Sequence, residues 1–245
     1  MAGRKRLILL GAATFLLGAL LMFPARVAVS WFVPDTVNLS GVTGTVWTGR
    51  AAQGAANGMY FTDLSWSFKP LSLLKARLAF DAAIRTSAGR IESYAAIGVT
   101  GAVTLKDLNG SLVLSAVHPA IQANGVDGTL MVQMEHLVLS DGLPSEATGV
   151  LSLGNLTTQA FGQDALGNFS ANVTTDDNGI VALVEDAGAV IGIEGTVSLK
   201  NDRSYLFTGY VSPKPDTPAV IEQNLRFLGS ADSDGRRQFR FEGSL

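Results

Sequence analysis

An all-β protein led by one N-terminal membrane helix is the fold class this sequence predicts, and three observations carry it. A basic cluster and a long apolar run open the chain. Beyond them, apolar and polar residues alternate with period two through one segment after another. Glycines and Asn-Gly pairs break those segments at short intervals. The expected β part is a single, predominantly antiparallel domain with one short helix in its C-terminal region. A long curved sheet, a sandwich and a partly open barrel all fit the strand pattern.

The first element is read from MAGRKRLILLGAATFLLGALLMFPARVAVSWF. No charge and no proline occur from Leu7 to Phe23, near the lower limit of roughly 17–25 residues for a membrane span. Arg4, Lys5 and Arg6 precede the run, so the positive-inside bias holds the N-terminus in the cytoplasm and sends the rest across. Trp31 and Phe32 suit the far interface. The division expected is a cytoplasmic basic segment at 1–6, an anchor with its interface at 7–32, and a β domain at 33–245. The rival is a cleaved signal peptide with Ala28-Val29-Ser30 at its cleavage site. The apolar run is long for an h-region of roughly 7–15 residues, which favours a retained anchor.

GTVWTGRA (44–51) comes next and reads as an early strand with Trp47 and Arg50 on it. In MYFTDLSWSFKP, Tyr60, Leu64, Trp66 and Phe68 face one way, against Asp63, Ser65 and Ser67. Pro70 to Leu74 is too short for a regular helix and reads as a turn or one helical turn. Ala76, Leu78, Phe80, Ala82 and Ile84 then alternate along a longer strand. Asn109-Gly110 and Asn178-Gly179 each sit between alternating runs and predict hairpins. Leu130, Val132 and Met134 share a face in GTLMVQMEHLVLSDG. Near the end, Thr217 reads as an N-cap and Pro218 as the first helical residue. Ile221, Leu225 and Leu228 form one apolar face, and Gly229 is the stop. RQFRFEGSL closes the series, with Arg237, Phe239 and Phe241 opposing Gln238, Arg240 and Glu242.

Composition excludes several classes of function. The net charge is −3, so no basic footprint points to nucleic acid. There are no cysteines, which removes disulfides, thiolate metal sites and cysteine nucleophiles. No G-x-S-x-G, P-loop or H-E-x-x-H pattern occurs, and no cofactor is indicated. His118 and His136 lack metal-ligand spacing. Asp232-Ser233-Asp234-Gly235 lacks the distal glutamate of a calcium loop and reads as a turn before the last strand, and Asp176-Asp177 as a hairpin tip. No enzyme activity is supported. The candidate residues are for packing or partner contact: Trp47, Arg50, Trp66, Leu225 and Leu228. Core packing is the stronger reading of the tryptophans, given their large buried area.

Taken in order, the basic N-terminus with its span, GTVWTGRA, LSWSFKPLSLLKARLAFDA, LKDLNGSLVLS and NLRFLGSADSDGRRQFRFEGSL resemble the protein N family of the bacterial type II secretion system. The resemblance runs from the anchor to Leu245 and is least specific from about 140 to 200. It implies an accessory inner-membrane subunit with a periplasmic β domain and no catalytic residues, in a machine that exports folded proteins across the outer membrane. Its expected partners are the inner membrane and other secretion subunits. The alternative is an AsmA-like envelope protein that binds or transfers lipid along an apolar β groove, a pattern this chain resembles distantly. Leu78, Phe80, Ile84, Leu130 and Val132 would line that groove.

Overall fold

Among the described residues, fourteen strands join edge to edge into one sheet, and every pairing in it is antiparallel. The computed structural model describes residues 2–33, 37–56, 59–87, 89–115, 125–158 and 165–244. Two helices lead, α1 (Ala2–Leu21) and α2 (Ala25–Phe32). The strands β1 (Val37–Ser40), β2 (Thr43–Gly44), β3 (Thr48–Ala56) and β4 (Met59–Phe68) follow. A 3-10 turn, Pro70–Lys75, leads to β5 (Leu78–Thr86), β6 (Gly89–Ile97), β7 (Val103–Val113) and β8 (Val126–Ser140). Then come β9 (Leu143–Thr158), β10 (Gly167–Asp176), β11 (Gly179–Asp186), β12 (Ile191–Lys200) and β13 (Ser204–Pro213). Helix α3 (Ala219–Leu225), a second 3-10 turn (Arg226–Leu228) and β14 (Arg237–Ser244) complete the chain.

From β3 onward each strand pairs with its successor in sequence, and β1 and β2 both lie against β3. The order is linear, with β1 at one end and β14 at the other, so the sheet is neither a sandwich nor a closed barrel. Such a meander follows from tight turns, since short loops let consecutive antiparallel strands pair at once. Period-two alternation separates the faces. The row Arg50–Ser65–Ala83–Glu92–Asn109–Gln133 crosses the polar side, and Phe80–Ala95–Leu105–Leu137–Ala147 crosses the apolar one.

The core lies on the apolar face in two clusters. One gathers Met134, Ala147, Val173 and Ile180 in the middle of the sheet. The other places Ile221 and Leu225 of α3 over Phe169, Ile191, Val211 and Phe239. The expected apolar side of the helix is therefore seen for Ile221 and Leu225, whereas Leu228 stays 38% exposed. Leu78, Phe80, Ile84, Leu130 and Val132 do share the apolar face, half-buried or exposed rather than beneath a second layer.

Four local expectations are corrected. Asn109-Gly110 is no hairpin, because β7 runs straight through it. The bend there is a bulge at Asp107, which has φ +49 and whose carbonyl accepts from Asn109 Nδ2 at 2.9 Å. Gly110 is small because Ile91 crosses it: a Cβ would sit 2.7 Å from the Ile91 Cα. Thr217 does not cap α3. Its hydroxyl accepts from Lys214 N at 2.6 Å and donates to Val190 O at 2.5 Å, while Pro218 occupies the N-cap position. Tyr60 is not half-buried with Trp66 but 84% exposed, beyond a bulge at Asp63. Ala76 is not in β5 but ends the preceding 3-10 turn in the left-handed region. The expected hairpin at Asp176–Gly179 is present, with the Asp176 carboxylate accepting from Asn178 N at 2.8 Å and Gly179 N at 3.1 Å.

The N-terminal reading also changes in form. The expected anchor at 7–32 is not one helix: it breaks at Phe23-Pro24, and α2 packs back against β2. Among the described residues no helix is long and apolar enough to cross a membrane. The charge-free part of α1, Leu7 to Leu21, reaches only roughly 22 Å at 1.5 Å per residue, against a hydrocarbon core of about 30 Å.

Candidate functional site

The residues of GTVWTGRA build the joint between the helices and the sheet. Thr45 and Thr48 close a tight turn, Thr45 N donating to Thr48 O at 2.9 Å. That turn is pressed against the end of α1. Trp47 Nε1 donates to Leu20 O at 2.8 Å, and Val46 N donates to Phe23 O at 3.0 Å. Pro24 forms an isolated antiparallel bridge with Thr45. Helix ends leave carbonyls without intrahelical partners, and here the turn supplies the donors.

Trp66 secures the same turn from the other side, its Nε1 lying 3.3 Å from Thr45 O and 3.2 Å from Val46 O. Gly49 makes room for that indole: a Cβ on residue 49 would sit 2.3 Å from the Trp66 ring. An aromatic file then runs from the joint into the sheet. Trp47 and Phe68 have ring centroids 4.8 Å apart, and Phe68 and Phe80 5.4 Å. Both tryptophans are half-buried, and each spends its N–H on a distant backbone carbonyl. The parts of Leu20 and Gly49 in this joint leave no local signal in the sequence, because the contacts span many residues.

Removal of the Trp47 indole tests this joint. Trp47→Phe keeps a ring on Phe68 and loses one hydrogen bond, an expected cost of about 1 kcal/mol. Trp47→Ala also loses the stacking and should cost about 2–3 kcal/mol at a half-buried position. Hydrogen exchange at the Val46 amide in detergent measures both, with faster exchange expected in that order.

Arg50 lies beside the joint on the polar face and is exposed. It borders a trough of about 700 Å³, whose charged lining is Arg50, Asp81, Arg90, Glu92 and Asp107. Lys69 pairs with Asp81 and Arg90 with Glu92. Arg50 has no ion-pair partner among the described residues. Leu225 lies on α3 and Leu228 on the turn after it, against β13 and β14 at the far end of the sheet from β3, so the candidate residues do not converge on one site. Lys5 and Arg6 are exposed in the first part of α1; Arg4 also falls within that helix. His118 lies outside the described residues, and His136 Nε2 stands 3.4 Å from Glu146 Oε2.

Asp232 is a turn-forming residue. Its Oδ1 accepts from Arg236 N at 2.8 Å and Asp234 N at 3.0 Å, and its Oδ2 from Arg236 Nε at 3.1 Å. The Arg236 amide above all, with the Asp234 amide and the Arg236 side chain, holds this carboxyl below the ordinary aspartate range. A depressed carboxyl contributes order at neutral pH, and the contribution is lost as pH falls through its lowered value. The Asp234 and Arg236 amides are therefore expected to lose protection only in strong acid, below the pH at which ordinary aspartates titrate. Amide exchange followed against pH reads this directly.

An N-terminal helix latched by a tryptophan turn to one long antiparallel meander defines an all-β sheet protein with a helical N-terminal segment docked on the first strands. The comparisons make the class specific. The family model for type II secretion system (T2SS) protein N matches residues 35–240, and the chain belongs to that family. Type II secretion system protein N of Aeromonas hydrophila is 28% identical over 247 residues, covering 96% of this chain and 97% of the relative. The protein of that name from Vibrio cholerae serotype O1 is 25% identical over 97% of each chain. That of Klebsiella pneumoniae is 24% identical, over 99% of this chain and 97% of its own. No solved structure matches. These likenesses favour a secretion component over the lipid-transfer alternative.

Proposed function

We propose that this chain is a non-enzymatic interaction subunit of the type II secretion system, held in the bacterial inner membrane by α1. Its N-terminus is cytoplasmic and its sheet periplasmic, where it supports export of folded proteins by contact with other secretion subunits. The family match over residues 35–240 carries this reading. The anchor is supported by α1 itself. Leu7, Leu10, Phe15, Leu17 and Leu21 are all more than half exposed, so the helix presents apolar side chains around its circumference. A helix apolar all round needs an apolar environment. The shortfall of about 8 Å is met by local bilayer thinning and by Arg26 reaching to the interface. The proposed division is a cytoplasmic segment at 1–6, an anchor with its interface at 7–32, in which α1 enters the bilayer and α2 lies at its surface, and a periplasmic β domain at 33–245. The latch at Trp47 then holds the first strands within one short helix of the membrane.

Two measurements test it. The absence of native cysteines makes single-cysteine labelling clean. A cysteine at exposed Val220 should react with a membrane-impermeant maleimide in spheroplasts, and one at Ala2 only after lysis. The reverse pattern, or release of the chain by salt, would overturn the topology. Capture of the full chain from envelopes should bring down other secretion subunits; capture of phospholipid alone would overturn the interaction role.

A further inference from the structure

The two edges of the sheet differ. At the N-terminal end β1 has four residues and β2 two, and such short strands are one way to blunt an edge. At the other end β14 has eight residues. It carries no proline, lysine or bulge, its register with β13 is unbroken from Ser204↔Ser244 to Val211↔Arg237, and no described strand covers its outer side. In an antiparallel ladder, alternate residues direct their N–H and C=O to each neighbour, so half of the β14 backbone groups face outward. Phe241 stands 56% exposed on the apolar face, although Phe239, two residues earlier on that face, is only 7% exposed. The turn that packs beside β14 adds Phe227, at 85% exposed.

We propose that β14 pairs antiparallel with β14 of a second copy of this chain, about a two-fold axis at Phe241. The order Arg240-Phe241-Glu242 selects this occupant. When the strand is reversed onto itself about residue 241, Arg240 of each copy stands opposite Glu242 of the other, and the two Phe241 rings meet on the apolar side. Both faces of the joint are then complementary at once: two opposite-charge pairs on the polar face and an aromatic pair on the apolar face. Within one chain Arg240 Nη2 already lies 2.8 Å from Glu242 Oε2, so both groups are oriented on the same face. A two-fold axis makes the contact isologous and closed, so the exposed edge is consumed in a dimer rather than propagated into a fibre. Two open sheets thereby become one continuous sheet.

The test uses the full chain in detergent. Arg240→Glu or Glu242→Arg alone sets like charges opposite one another twice, and each should raise the dimer dissociation constant about tenfold or more. The double exchange restores both pairs and should return dimerisation close to that of the parent, a recovery that general damage to the edge would not give. Phe241→Cys, in a chain without other cysteines, should cross-link on mild oxidation, and Val220→Cys should not. Circular dichroism of each variant checks folding. A parent that remains monomeric in analytical ultracentrifugation at tens of micromolar overturns the proposal. So does a dimer that is indifferent to the charge exchanges, or one that cross-links at 220 and not at 241, which would point to α3 or another surface. Capture of secretion subunits by the Arg240→Glu variant separates failure of this dimer from failure of the interaction role.

Discussion

Leu225→Asp is expected to unfold the C-terminal end of the sheet, at a cost above about 4 kcal/mol. Leu225 is 2% exposed and packs with Ile221 against Phe169, Ile191, Val211 and Phe239. Two terms add. Deleting a buried leucine side chain costs about 2–5 kcal/mol through lost transfer free energy and the cavity left behind. The carboxylate must then either lose its hydration or be protonated. Leu225→Ala isolates the first term and should cost about 3 kcal/mol. Leu228→Asp at a more exposed position should cost less than about 1 kcal/mol. Urea unfolding of the three variants in the same detergent checks the order. Equal midpoints for Leu225→Asp and Leu228→Asp would show that α3 does not seal the sheet.

Gly209→Val is expected to cost about 3 kcal/mol or more and to weaken the pairing of β12 with β13. Gly209 lies directly opposite Gly195. A Cβ at 209 would stand 2.2 Å from Glu194 O and 2.5 Å from the Gly195 Cα, both backbone atoms of the neighbouring strand. Backbone within a paired ladder has no room to move aside, so the added carbons must spread the strands. The glycine pair also seats the aromatic cluster. A Cβ at 195 would meet Phe207 at 2.8 Å and Phe239 at 3.3 Å, and those two rings pack edge to face at 4.8 Å. Gly195→Ala meets mainly side-chain atoms and should cost about 1–3 kcal/mol, the range for overpacking. Thermal unfolding separates the two, with Gly209→Val having the lower midpoint. The reverse order would mean that the rings, rather than the strand backbone, set the tolerance.

The sequence by itself determined the β class, the antiparallel hairpin at Asp176–Gly179, the apolar side of α3 and the two faces of β14. Each is local: period two, two-residue turns and helical spacing are imposed by backbone geometry within a few residues. The same local reasoning failed at Asn109-Gly110, where turn chemistry serves a bulge and a close strand crossing. It failed also at Thr217, where the hydroxyl is drawn to Val190 O in another segment. At Leu7–Phe32 hydropathy marked an apolar stretch and not the break at Pro24 that turns α2 back onto β2. Tertiary structure alone decided which indole meets which carbonyl. Trp47 reaches Leu20 O across 27 residues and Trp66 reaches Thr45 and Val46 across some twenty. It also decided that the sheet stays linear and that no described strand covers β14. Those outcomes depend on where twisted strands bring distant backbone groups together, and that placement is a sum over the whole sheet rather than a property of any one window of sequence.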